Sequence, residues 1–281
     1  MSAEMSRLAL GCARIGSFNN AQSLSESCRL IEQAMDLGVT TIDTSNIYGQ
    51  GDSERAIGSA LQHMRDTAFI VTKAGRRFST RMQVLRPLKP LLRPALAIAQ
   101  QRRAKPQNGN AVSRRREAEL LFDWSPAALT QSLEQSLRRL RTDRIDGLLL
   151  HSPPPAIAAD EAVGRALEQL KRDGKVRRFG VSCDDLETLL CAMEMPGLSL
   201  VQLPWPVIAR LDPHTSARIR AQGIGVMARE VIRAQPAIGA GDAVRRSLDH
   251  ALVSTTVIGT TNPAHLCALA RLARGANVVT A

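Results

Sequence analysis

The chain has 281 residues, 44% apolar and 22% charged, enough for one soluble globular unit with a full core. Its net charge is +11, yet residues 76–116 hold twelve Lys or Arg and no Asp or Glu, and the rest balances 25 basic against 26 acidic residues. The basic character belongs to one segment, which argues against a nucleic-acid-binding fold, and no apolar run approaches the ~20 residues of a membrane helix.

At the N-terminus, MSAEMSRLALGCA lacks the basic and apolar regions of a secretory signal. Short runs rich in Val, Ile and Leu then predict strands at 8–12, 41–43, 69–73, 145–151, 178–182, 199–203, 225–228 and 256–259. Helices are predicted between them from cap signals: Ser23 before LSESCRLIEQAMDLG, Ser53 before ERAIGSALQHM, Ser125-Pro126, and Asp184 before DLETLLCAM. Gly38, Gly174 and Gly223 fall just past helix ends, where a left-handed cap is wanted. Eight strand–helix units predict an α/β fold, a closed (β/α)8 TIM barrel forming one domain over 1–281. A GxGxxG turn after the first strand is absent, against a Rossmann domain.

Residues 76–122 break the rhythm. They hold Pro87, Pro90, Pro94, Pro106 and a PQNGN stretch, and are expected as a long loop inserted after the third strand. Following a strand, it rises from the C-terminal face, where barrel active sites lie. Its cations suit an anionic carrier, substrate or membrane surface. The five cysteines (Cys12, Cys28, Cys183, Cys191, Cys267) lack metal-ligand spacing, so they are expected as reduced thiols of a cytoplasmic protein with no metal site.

The strand ends carry chemistry. Asp43 ends the second strand, in TIDTSNIYGQGDSE, and Tyr48, the only tyrosine, follows it; Lys73 ends the third, in FIVTKAG; His151 ends the fourth, in LLLHSPPP. A free tyrosine, with pKa ~10, is a poor acid at pH 7. An ammonium beside it stabilises the phenolate, a carboxylate keeps that ammonium charged, and a histidine can orient a carbonyl. Asp52 and Glu54 read as caps of the second helix, Cys183 as a buried filler, and Trp205 as core or pocket lining.

These phrases resemble, in order, the Asp–Tyr, Lys and His motifs of the aldo-keto reductase superfamily. GVS at 180–182, VQLPW at 201–205 and VIGTTNPAHL at 257–266 are similar to its later motifs, so the resemblance runs from about residue 8 to about 274. It implies an NAD(P)-dependent oxidoreductase that interconverts a carbonyl and an alcohol on a small molecule, with NADP as cofactor and NAD left open. It implies Tyr48 as general acid, Lys73 as its pKa modifier, Asp43 as the partner of Lys73, and His151 as carbonyl orienter. Ser182 and Gln202 would bind the carboxamide, with Thr260 and Asn262 near the adenosine phosphate.

The sequence departs from the family pattern in three places. Cys183 stands where the family has asparagine. Arg229 stands where many members stack an aromatic on the nicotinamide, and would either stack or bind phosphate. His265 is the nearest match to the basic residue that reads a 2′-phosphate. An alternative reading is a cofactor-binding barrel acting as a regulatory or redox-sensing subunit. A barrel lyase or hydrolase is set aside, because only Asp43 offers a carboxylate at a strand end. With aromatics at 3%, a sugar or short aldehyde fits better than a large flat steroid.

Overall fold

The structure is a computed structural model and describes residues 3–17, 22–78 and 120–275. The strands are β1 (Leu8–Gly11), β2 (Thr41–Asp43), β3 (Phe69–Ala74), β4 (Arg76–Phe78), β5 (Leu120–Phe122), β6 (Ile145–His151), β7 (Val176–Ser182), β8 (Leu200–Pro204), β9 (Gly225–Arg229) and β10 (Val253–Ile258). All except β4 and β5 close into a parallel eight-stranded barrel in the order β1-β10-β9-β8-β7-β6-β3-β2. The main helices around it are α1 (Leu24–Asp36), α2 (Asp52–Ala60), α3 (Pro126–Leu140), α4 (Glu161–Arg172), α5 (Leu186–Ala192), α6 (Pro213–Ala221), α7 (Ala240–Leu248) and α8 (Pro263–Gly275). This is the predicted TIM barrel. Among the described residues no helix is long and apolar enough to cross a membrane.

Two strand starts lie earlier than their apolar runs. β7 begins at Val176, with half-buried Arg177 inside the strand: its guanidinium reaches Asp146 of the neighbouring β6 at 2.8 Å. β10 begins at Val253, where buried Thr255 and Thr256 hide the strand from a hydropathy reading; Thr256 instead bonds Ser247 at 2.8 Å.

The caps divide. Ser23 forms a full capping box with Glu26, and Ser125 accepts from the Ala128 amide. Ser53, expected as a cap, lies inside α2 instead, fully buried, with its hydroxyl on Thr44 Oγ1 at 2.8 Å. Asp185, rather than Asp184, caps α5 and accepts from the Thr188 amide at 2.7 Å. Gly38, Gly174 and Gly223 adopt the left-handed φ their positions require.

The insertion is corrected at its two ends. Instead of a loop there, β4 and β5 pair antiparallel, with Arg76 opposite Phe122 and Phe78 opposite Leu120. The middle of the basic arm, 79–119, lies outside the described residues.

Strand alternation sorts the barrel interior. Phe69, Val71 and Lys73 share one face of β3, and Leu149 and His151 one face of β6. The lower members pack with Leu200 and Met227 into an inner apolar cluster. Leu200 takes up much of this space. A β-carbon on Gly147 would stand 2.9 Å from its Cδ1, and one on Gly225 3.1 Å from its Cδ2. The polar members, one turn of the alternation higher, emerge together at the C-terminal mouth.

Outside the barrel, Glu54 is not a solvated cap. It is fully buried and accepts from Thr72 of β3 at 2.7 Å and from Arg139 of α3 at 2.5 Å. One carboxylate thus ties α2 and α3 to the strand that carries Lys73. Removing one partner of such a pair leaves an uncompensated buried charge, at a cost of ~3–5 kcal/mol. Arg139→Met is expected to lower the unfolding free energy by about that amount, read from urea denaturation. A change below ~1 kcal/mol would mean that water reaches Glu54.

Candidate active site

Six of the barrel strands bring a site residue to the rim. Going round it, β2 supplies Asp43 and leads to Tyr48, β3 supplies Lys73, and β6 supplies His151. β7 follows with Ser182 and Cys183, β8 with Gln202, and β9 with Arg229. Thr260, Asn262 and His265 follow β10, completing the circuit on its far side. Local chain geometry is tight here. Among the described residues four non-glycines have φ in the left-handed region, and three of them (Gln50, Ser152, Glu230) come one or two residues after Tyr48, His151 and Arg229. Such backbone conformations cost ~1–3 kcal/mol and persist where surrounding contacts enforce them.

The centre is an ion pair. Lys73 Nζ lies 2.7 Å from Asp43 Oδ1 and donates to the Thr44 carbonyl at 2.9 Å; its side chain is 1% exposed and that of Asp43 6%. Burial works to strip the ammonium of its proton. The Asp43 charge and hydrogen bonds to Asp43 and Tyr48 outweigh it, so the Lys73 pKa stands above its ordinary value. The ammonium lies 5.2 Å from the centre of the Tyr48 ring. Desolvation raises the Tyr48 pKa above its ordinary value, while Lys73 pulls it down. At neutral pH the pair is therefore an ammonium and a protonated phenol.

His151 completes the group, its ring edge-on to Tyr48 with centroids 6.1 Å apart. Its pKa falls well below the usual value, first through burial and then through the charges of Lys73, Arg76 and Arg229. The imidazole is neutral.

The hydrogen-bond chain runs on across the mouth. Gln202 Nε2 donates to Asp43 Oδ1 at 2.9 Å, and Ser182 Oγ donates to Gln202 Oε1 at 3.0 Å. Both side chains are buried and retain acceptor capacity toward an amide. Cys183 is fully buried beside them, and burial pushes its thiol pKa far up, so it is an unreactive filler.

Arg229 is engaged rather than reaching into solvent. It pairs with Asp184 and Glu230 and donates to the Cys183 carbonyl at 3.0 Å. Asn262 caps the exposed start of α8, accepting from the Ala264 amide at 2.8 Å, with its own amide on Thr260. Among the described residues, a β-carbon on neighbouring Gly259 would approach only the Gly11 carbonyl, at 3.9 Å. These features fit a dinucleotide: a helix start at one end, buried polar groups with spare hydrogen-bonding capacity at the other.

Two residues at the mouth escaped the sequence reading. Ser45 Oγ lies 3.0 Å from His151 Nδ1, although 106 positions separate them. Arg76 had counted only as part of the basic arm, yet its Nε donates to the His151 carbonyl at 2.7 Å. Neither carries a local signal, since both contacts arise only when β2, β3 and β6 stand side by side. Asn46 joins them, donating to the Arg76 carbonyl at 2.7 Å and to Ser132 at 3.1 Å, beside a polar cavity of about 300 Å3. Trp124 lies over Gly75 so closely that any β-carbon there would collide with its ring. Trp205 belongs to the core, 6% exposed and edge-on to His250.

The fold and this rim define a parallel barrel with a buried Asp–Lys pair beneath a tyrosine. The aldo/keto reductase family model matches residues 7–237, and the chain belongs to that family. It is 35% identical over 182 residues to the oxidoreductase YdhF of Escherichia coli, covering 64% of this chain and 49% of YdhF. The chain spans about half the length of the curated relatives it matches first. An aldo-keto reductase structure from Pseudomonas aeruginosa superposes with a TM-score of 0.73 at 25% identity, covering 97% of this chain and 91% of that one. An aldo/keto reductase from Klebsiella pneumoniae, solved with NADP and acetate, shares the fold with a TM-score of 0.65 at 20% identity, over 95% and 85% of the two chains.

Because the chain has one tyrosine, its ionisation can be followed directly by tyrosinate absorption. The midpoint is expected above the ordinary ~10, and Lys73→Met should move it higher still, since the loss of a positive charge further disfavours the phenolate. A midpoint that falls in Lys73→Met would contradict the coupling.

Proposed function

We propose that the protein is a nicotinamide-dependent reductase that interconverts a small carbonyl compound and its alcohol at the barrel mouth. The observation that carries this reading is the buried Asp43–Lys73 pair set under Tyr48 with neutral His151 alongside. The dinucleotide, when bound, supplies the hydride. Tyr48 holds the proton that the carbonyl oxygen takes up, and Lys73 stabilises the phenolate left behind. Asp43 keeps Lys73 charged and fixed. His151, having a single N–H proton, orients the carbonyl by a hydrogen bond.

Ser182 and Gln202 would hold the carboxamide, without the amide that Cys183 has replaced. The Arg229 charge is already balanced by Asp184 and Glu230, so its guanidinium plane is better suited to stacking on a ring than to binding phosphate. Thr260, Asn262 and His265 would receive the phosphate end. NADP is the proposed cofactor, as in the Klebsiella relative, with NAD the alternative. The proposed substrates are short aldehydes, ketones or sugars, and the proposed compartment is the cytoplasm, where the cysteines stay reduced.

Oxidation of NADPH and NADH against a panel of small carbonyls tests the reading. Turnover with at least one carbonyl is expected, and Tyr48→Phe should lower it ~10²-fold or more while cofactor affinity, read by fluorescence titration, changes little. If both nucleotides bind and no carbonyl is reduced, the regulatory, cofactor-sensing reading takes its place. A Tyr48→Phe rate within about tenfold of wild type would remove Tyr48 from the acid role.

A further inference from the structure

We propose that Ser45 is a positioning residue for His151: its hydroxyl donates to Nδ1 and so keeps the single imidazole proton on Nε2. The inference rests on the reading of His151 as the group that hydrogen-bonds the carbonyl. A neutral imidazole carries one N–H, and which nitrogen holds it is set by what the other one meets. On Nε2 the proton is available to a carbonyl oxygen. On Nδ1 it would be spent on Ser45, and Nε2 would turn a lone pair toward that oxygen.

The surroundings favour the first arrangement. Ser45 is fully buried, and its Oγ stands 3.0 Å from His151 Nδ1. The Ile47 amide donates to the same oxygen at 3.4 Å, so Oγ already has an incoming hydrogen bond. The competing acceptor for the hydroxyl proton, Asn46 Oδ1, is farther away at 3.2 Å. Among the described residues, Nε2 has no hydrogen-bond partner and is left to a ligand. The ring has no second proton to offer, because burial and three nearby cations keep it neutral.

The backbone of His151 is held separately. Arg76 bonds the carbonyls of His151 and Ser152 at 2.7 and 3.3 Å, and the Ser152 amide donates to Ser182 at 3.0 Å. A change at Ser45 therefore acts on the ring and its proton, leaving the strand end in place. Nor is Ser45 part of the Asp43–Lys73 pair. The phrase TIDTSNIYG contains it, but nothing local in that phrase says that residue 45 faces the end of β6.

The direct test is nitrogen NMR of the wild-type protein labelled at its five histidines, with His151 assigned by its loss in His151→Gln. The expected spectrum has Nε2 protonated and Nδ1 as an unprotonated nitrogen accepting a hydrogen bond. In Ser45→Ala, Nδ1 should move to the position of a free imine nitrogen with some Nδ1–H tautomer appearing. The kcat for carbonyl reduction should fall roughly tenfold, the scale of one lost hydrogen bond, with the KM for NADPH unchanged. Ser45→Thr, which keeps the hydroxyl, should restore both readouts. A wild-type ring protonated on Nδ1 overturns the proposal, as does a Ser45→Ala protein with wild-type kcat. The spectrum needs no turnover, so it judges the tautomer even if the carbonyl-reductase reading itself fails.

Discussion

The charge buried at the top of the barrel sets the terms for everything around it. Moving an ammonium out of water costs several kcal/mol even after relaxation, and only close partners offset it. Lys73 has Asp43 at 2.7 Å and the Thr44 carbonyl at 2.9 Å, and Asp43 takes a further hydrogen bond from Gln202. Each neighbour is then constrained in turn. The Tyr48 hydroxyl sits where desolvation and the ammonium oppose each other, and His151 stays neutral in part because that ammonium is near. Ser182 is fixed through Gln202. The site is one connected set of hydrogen bonds in a region of low dielectric, where unpaired groups are costly and paired ones are held firmly.

The barrel makes that arrangement affordable by stacking. Phe69 and Val71 fill the interior below Lys73 on the same face of β3, and Leu149 does so below His151. The glycines at 147 and 225 leave room for Leu200 in the middle. The apolar layers keep water from reaching the polar rim from below, so the pair at the top meets solvent or ligand only from the mouth. Outside, the buried Glu54 bonds Thr72, the residue next to Lys73 on the opposite face, and so braces the same strand from the helix layer.

Two of the residues that depart from the expected family pattern meet at the mouth: the Cys183 backbone carbonyl accepts from Arg229. That guanidinium also pairs with Asp184, just after β7, and Glu230, just after β9. The first strand of the insertion is likewise used at the mouth, since Arg76 bonds the backbone of His151. The arm therefore begins in contact with the site.

Much of the fold was legible in the sequence. Runs of apolar residues at regular intervals gave the eight barrel strands to within a few residues, because both faces of such strands are buried and hydropathy reports burial. It failed at Arg177, a half-buried cation paired with Asp146 of the neighbouring strand, and at Thr255, a polar residue fully buried in β10. The hairpin of β4 and β5 was missed because its two strands lie far apart in sequence and are short and largely exposed. Of the site, Asp43, Tyr48, Lys73 and His151 could be named because each falls at or just after a strand end within a recognisable phrase. Only the tertiary structure decided who touches whom. It put Glu54 in the interior, paired Arg229 with Asp184, and set Ser45 against His151. The amino-acid order fixes which residues share a face of their own strand, while contacts between strands depend on barrel register, which no single segment encodes.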